Sequence, residues 1–465
     1  PLYSSAASDV YKRQPLGFHA RSAIFCVHGS ISQYTFSSRH RRVIICEYCE
    51  PKSRIKIESY WLWISWLMVK GPSKALARFF FCSRRWRLGK QHPGTSCRAP
   101  VVRWFLLCDG FPEFRVAGIG EPVSSLAFYP DASSTRRSRH LLVGSWDKFV
   151  RVYDVSDGAA GADGVRMLQS FEHPAAVLDV AWINESLAAS ACLDRRVRLL
   201  NTENGQSVIL GKHEQGVSRL RYDPHTQLLF SGSWDATLKV WDPSRGADAS
   251  LCHTLALPGK VFAMDVSPRT PSAPPRLVVA MSERSVFIFK THQLREAVNG
   301  QDALWEPEQR RESSLKFMLR DVRCMPDGEG YVTSSVEGRV AVEFFRMDAQ
   351  VQANKYAFKC HRKEVDGIDV VYPIHAIAFH PIYGTFATCG GDAHCALWDP
   401  KAKKRIRQYV LPSPVSTAAF SADGSVLVIA SGAENLETAG SEAHDVLLHV
   451  KYVVDEAKPK SKSDK

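Results

Sequence analysis

Gly232-Ser233-Trp234-Asp235-Ala236-Thr237-Leu238-Lys239-Val240-Trp241-Asp242 carries the pattern that organises this chain. Gly and Asp suit a tight turn, and an Asp side chain accepts from nearby backbone N–H groups. After the turn, Leu238 and Val240 alternate with polar neighbours, as a half-buried strand requires. Two apolar runs come before it, Leu228-Leu229-Phe230 and, further upstream, Val217 to Tyr222. The same order recurs along the chain. Asp147 leads into Val150, Val152 and Tyr153, Asp194 into Val197, Leu199 and Leu200, and Glu283 into Val286, Ile288 and Phe289. Asp392 leads into Cys395, Leu397 and Trp398, and Glu337 into Val340 and Val342, with Glu343 at the sixth place. Successive acids are 47, 41, 48, 54 and 55 residues apart. Units of about 40–50 residues, each with three short apolar runs and a more variable fourth, predict an all-β propeller.

Seven units are counted, beginning near Glu121, Phe171, Lys212, Gly259, Ser314, Tyr372 and Val415. A propeller must join its ends or leave sheet edges open. Glu113-Phe114-Arg115-Val116 is the expected closing strand, paired with the seventh unit. Three units end in Tyr153-Asp154, Trp241-Asp242 and Trp398-Asp399. At the same phase as the turn acid, these endings resemble the WD-repeat family, which implies a seven-bladed WD-repeat β-propeller over residues 109–454. His173, His213 and His361 each precede a unit. In that family such histidines bond the turn Asp, so structural roles are expected for them.

Residues 1–108 stand apart. They hold 18 Lys+Arg against 4 Asp+Glu, while residues 109–465 hold 42 against 44. The chain's net +12 therefore comes from this segment and gives no argument that the propeller binds nucleic acid. The segment shows no repeat, has its first Met at Met68, and opens on a stretch, Pro1 to Gln14, that looks like translated sequencing adaptor. It is read as a non-native, irregular extension and kept out of the fold argument. The apolar stretch Tyr60 to Val69 is too short for a bilayer, which takes about 20 residues, so no membrane partner is expected. The polar end, residues 455–465, reads as a disordered tail.

Catalytic signatures are lacking: there is no phosphate-cradling Gly-rich loop and no Gly-x-Ser-x-Gly elbow. His375, His380, Cys389, His394 and Cys395 are the nearest approach to a metal set, but they fall on strands and a blade turn. No metal, cofactor or enzymatic activity is expected. The cysteines after Cys108 lie mostly within apolar runs, where a thiol behaves as a small hydrophobe, and this suits a reducing compartment.

The most distinctive block runs from Arg310 to Arg362. It contains Arg310-Arg311-Glu312-Ser313-Ser314-Leu315-Lys316, Glu337-Gly338-Arg339-Val340-Ala341-Val342-Glu343 and Tyr356-Ala357-Phe358-Lys359-Cys360-His361-Arg362. This block resembles the mitotic-checkpoint propellers of the Bub-three family. A related family, the mRNA-export propellers Rae-one/Gle-two, shares the Glu-Gly-Arg-Val-Ala and Phe-Lys-Cys-His-Arg phrases. The resemblance implies a spindle-checkpoint adaptor whose partners are Bub-class kinases, held by their acidic GLEBS motifs, and a phosphorylated kinetochore scaffold. It implies a nuclear protein, at kinetochores in mitosis and partly cytoplasmic, monomeric as a propeller within heteromeric complexes. The alternative it leaves is an export propeller that binds a nucleoporin GLEBS motif. Arg320 and Arg339 would each take a glutamate of the motif, as the fork of a guanidinium suits a carboxylate. Trp234 and Trp146 would line the peptide-binding face, and Arg311 and Lys316 would contact a phosphothreonine.

Overall fold

The protein is described by a computed structural model. The structure describes residues 21–27 and 30–36, and residues 113–459 apart from 132, 135–137, 156–164, 272, 302–303 and 433–445. The chain divides into two units, 1–93 and 94–465. In the first, Arg21–Val27 and Ser30–Phe36 pair as an antiparallel hairpin, with Arg21 opposite Phe36. The extension expected to be irregular thus contains one piece of regular backbone. The expected boundary at 108/109 lies outside the described residues.

The second unit contains seven four-stranded antiparallel sheets. Their inner strands are Val123–Phe128, Val177–Trp182, Val217–Asp223, Val261–Val266, Leu319–Cys324, Ile374–Phe379 and Val415–Phe420. Numbered in that order, each of the first six blades runs outward in chain order. Blade seven takes its outermost strand from the other end of the chain: Glu113–Ile119 pairs with Val446–Tyr452, Glu113 opposite Lys451 and Ile119 opposite Val446. The closing strand expected from the sequence is therefore present. Apolar side chains of one blade pack on the inner strand of the next. Leu142, Val150 and Val152 of blade one, for example, cluster with Val177 and Val180 of blade two, all within 2% exposure. This burial between blades supplies the core that no single sheet could build alone.

Polar tetrads explain why blades end in Trp. In blade three, His213 places Nδ1 3.2 Å from Asp235 Oδ2 and Nε2 2.7 Å from Ser231 Oγ, and Trp241 Nε1 donates to that same Ser231 Oγ at 2.8 Å. Blade six repeats the arrangement with His361, Asp392, Thr388 and Trp398, each contact 2.8–2.9 Å. The turn Asp, the preceding His and the closing Trp thus form one hydrogen-bonded unit that fixes the turn against the blade. Blade two departs from it. His173 Nε2 meets Ser190 Oγ at 2.8 Å, but Asp194 is taken by Arg198 at 2.5 and 3.1 Å, so the expected His–Asp bond is absent there. Glu343, the irregular sixth residue of blade five, is buried and accepts from Tyr331 Oη at 2.6 Å.

Burial pulls both His173 and His213 down to about 4 from an ordinary value near 6.5. Below about pH 6.5 the unfolded chain takes up protons that the folded rings refuse until about pH 4. Stability is therefore complete above pH 6.5 and is lost as pH falls toward 4, by about 2 kcal/mol per ring at pH 5. Urea midpoints at pH 7 and pH 5 test this, and equal midpoints would rule it out.

Two features depart from expectation. The tail does not loosen at Asp455: Val453 and Ala457 are fully buried, Thr385 Oγ1 donates to Ala457 O at 2.8 Å, and Glu456 pairs with Arg407 at 2.6 Å. Apolar anchors and a carboxylate staple hold that stretch; residues 460–465 lie outside the described residues. An added hairpin, Arg362–Val365 with Ile368–Val371, stands between blades five and six.

Candidate peptide-binding face

Every inner strand carries the same irregularity at its start. The first residue pairs with the end of the second strand, the next is skipped, and pairing resumes at the third, as at Val217 and Arg219 or Leu319 and Asp321. Such a bulge leaves the extra residue out of the ladder and re-aims its side chain. The skipped residues are Ser124, Leu178, Ser218, Phe262, Arg320, His375 and Ser416, and all seven line one cavity of about 610 Å³. With all seven blades contributing, this is the mouth of the central channel.

The turns share that face, because Val123 pairs with Ser145 and Val217 with Ser233 just before the Asp turns. Trp146 and Trp234 from two of these turns line it too, together with Arg219 and Met318. Trp146 is 46% exposed and Met318 46% exposed, so the rim offers apolar surface to solvent. Trp234 is half-buried; a Cβ at Gly216 would meet its ring at 3.2 Å, so the missing side chain lets the indole lie close to the backbone.

Arg320 donates from Nη2 to His375 Nδ1 at 3.0 Å, while its Nε is buried with no hydrogen-bond partner. Among the described residues no carboxylate lies within ion-pair distance of it, so its charge is left for an acceptor that enters the cavity. Arg339 opens the third strand of blade five, half-exposed, with Nε 3.4 Å from Glu337 Oε2. It sits on the rim turn of Arg320's blade and is not among the residues that line the cavity. Arg362 Nη2 donates to Glu337 O at 2.8 Å and ties the added hairpin to the same turn.

Lys316 is exposed on the loop before blade five, beside Phe317 at 56% exposure. Arg311 is placed differently from the sequence expectation. Its guanidinium donates to Phe344 O at 2.7 Å, to Phe345 O at 2.8 Å and to Gln309 Oε1, and it lies over the Tyr331 ring. Those internal acceptors make it a bracket between blades four and five, so the phosphothreonine contact expected of it is withdrawn.

Below the mouth the channel is charged. Asp179 accepts from Ser125 Oγ at 2.6 Å, Leu220 N at 2.9 Å and Arg221 Nη1 at 2.8 Å. Asp265 accepts from Arg221 Nε at 3.0 Å and from Cys324 N at 2.8 Å, and Asp321 from Ile377 N at 2.9 Å. Each carboxylate staples its blade to the inner strand of the next. The residues weighed as metal ligands are dispersed. His380 Nδ1 accepts from the Ile382 and Tyr383 N–H groups, His394 faces Asp392 O, and Cys389 and Cys395 are buried. Among the described residues no group of three or more potential ligands converges.

Sequence reasoning missed Arg219, Phe262, Met318 and His375 as parts of this face. For Phe262 and His375 the signal was present as position, since each follows directly on the first apolar residue of an inner strand; Arg219 stands one place further along its strand and Met318 just before its own.

A closed seven-bladed ring with WD turns around an aromatic and cationic channel mouth defines a WD-repeat propeller with a candidate binding face. The WD domain, G-beta repeat family matches residues 115–154 and 206–242. Mitotic checkpoint protein BUB3.1 of Arabidopsis thaliana is 41% identical over 70% of this chain and 91% of its own. Mitotic checkpoint protein bub3 of Dictyostelium discoideum is 37% identical over 70% and 89%. The Poly(A)+ RNA export protein of Schizosaccharomyces pombe is 31% identical over 67% and 81%. Among solved structures, U3-55K superposes with a TM-score of 0.57 at 17% identity, over 73% of this chain and 98% of that one, which supports the fold alone. The chain belongs to the Bub3 family of mitotic checkpoint proteins.

Proposed function

We propose that this propeller is a non-enzymatic spindle-checkpoint adaptor that holds Bub-class kinases by their acidic GLEBS segments. It would bring them to phosphorylated kinetochore repeats in the nucleus, with Lys316 close to the phosphopeptide. The observation that carries this reading is Arg320, a guanidinium bonded to His375 and to no carboxylate, which lines one cavity with Trp146 and Trp234. A glutamate that enters there gains a charge-assisted pair in partly dry surroundings, and apolar neighbours gain the indole surfaces. Arg339 on the rim of the same blade offers a second such pair, in competition with Glu337.

The test is Arg339→Glu. Charge reversal beside Glu337 is expected to weaken binding of a synthetic GLEBS peptide at least ~30-fold, as breaking such a pair once the peptide has buried it costs about 2–5 kcal/mol, while the melting temperature stays the same. Unchanged affinity would overturn the reading. Similarity to the Schizosaccharomyces pombe RNA-export protein supports a second reading, an export propeller at the nuclear pore. Affinity purification of residues 109–465 from cells arrested in mitosis separates the two, by recovery of a kinase or of a nucleoporin.

A further inference from the structure

At the third position of the inner strands, where side chains point into the channel, blades two and five carry Asp179 and Asp321. Blades one, four, six and seven carry Ser125, Ala263, Ala376 and Thr417, all small. Blade three alone carries a cation there, Arg219. Its one hydrogen bond is from Nη1 to Ser218 O at 3.0 Å, the carbonyl of its own chain neighbour. Asp179 and Asp321 attract it from beyond ion-pair distance, and burial pulls it below the usual arginine value. Among the described residues, Arg219 and Arg320 form no ion pair, and both line the same cavity.

The charges around them set the class of ligand. Arg221 and Arg323 lie within ion-pair distance of Asp179, Asp265 and Asp321. The charged groups that line the cavity itself are Arg219, Arg320 and Glu121, two guanidiniums against one carboxylate. Glu121 lines the rim from blade one but pairs with neither guanidinium. One excess charge matches a carboxylate better than a dianionic phosphate. Apart from that one bond the Arg219 guanidinium has no internal acceptor, so a carboxylate that enters the cavity finds donors there as well as at Arg320.

We propose that Arg219 and Arg320 together form a monoanion site in the channel mouth that takes one acidic side chain of a peptide partner, inserted into the channel and not laid across the rim. This deepens the peptide-binding reading and rests on it. Arg320 alone would fix an acid at the edge; Arg219 draws one acid inward, past the Trp146 and Trp234 walls.

The experiment is calorimetric titration of the intact protein with a synthetic GLEBS peptide, and with versions in which each Glu is changed to Gln in turn. Arg219→Met, which keeps the length and removes the charge, is expected to weaken the parent peptide ~10–100-fold. One Glu→Gln peptide should lose as much on the unaltered protein and lose nothing further on Arg219→Met. Arg219→Lys should recover part of the affinity. Parent-peptide binding within twofold on Arg219→Met would overturn the proposal while peptide binding stands. Additive losses for every Glu→Gln peptide would do the same, and if Arg219→Met folds poorly the same comparison is made with Arg219→Gln, which also removes the charge. No binding of the parent peptide to the unaltered protein would remove the peptide-binding reading and this site together.

Discussion

Asp179→Ala is expected to destabilise the propeller by about 3–5 kcal/mol, the range for removal of one partner from a buried ion pair. Asp179 is 2% exposed and holds three groups from two neighbouring blades, Ser125 Oγ, Leu220 N and Arg221. Alanine would leave the buried Leu220 N–H without its acceptor, and Arg221 would keep Asp265 as its one carboxylate partner beside the Leu220 carbonyl. The change acts where blade one, blade two and blade three meet, so it opens seams and not one sheet. Asp179→Asn keeps one carbonyl oxygen for Leu220 N and should lose less. Urea denaturation with unchanged slope measures both. A loss under about 1 kcal/mol for Asp179→Ala would mean that the channel network adds little beyond apolar packing.

The larger effect is expected from the chain's own closure. A protein that begins at residue 121 lacks Glu113–Ile119 and leaves Val446–Tyr452 as an open edge of blade seven. Ile119 also leaves the apolar cluster it forms with Val123, Val446 and Leu448. The ring then has no covalent link between its two ends, and an unpaired edge of that length invites association. Most of the ~5–15 kcal/mol typical of a folded domain should go, with loss of a single cooperative transition. A protein that begins at residue 109 retains the strand and should melt as the full chain does. This comparison also tests whether residues 1–108 are dispensable. Equal melting of the 109 and 121 forms would show that closure adds nothing, and poor solubility of the 109 form would show that the leading segment matters.

Much of this architecture could be read before any coordinates. The inner strands Val123–Phe128, Val177–Trp182 and Ile374–Phe379 fall where the apolar runs placed them, because alternation and the turn acids are local signals that tertiary packing has no reason to override. The closing strand was legible for a different reason: a ring of sheets tolerates no free edge, so a strand near the start was required. The site was legible in pieces. Trp146, Trp234 and Arg320 do meet around one cavity, and Arg339 stands on its rim. Arg311 looked like a member because it belongs to a distinctive basic phrase, yet carbonyls of residues 344 and 345 occupy it. Sequence distance hid those acceptors.

Arg219 shows the limit most clearly. In the sequence it is one basic residue in a strand, equivalent to Arg221 two places on, since alternation puts both on one face. Only the assembled ring tells them apart: Arg221 finds Asp179 of blade two and Asp265 of blade four, and Arg219 finds no carboxylate at bonding distance. The repeat, its count, its closure and its turn chemistry are determined by the sequence itself, because they depend on residues a few positions apart and on a period. Which charges are neutralised and which remain open to a partner is decided by the tertiary structure, because the groups that answer them come from other blades, brought together around the channel from about 40 or more residues away.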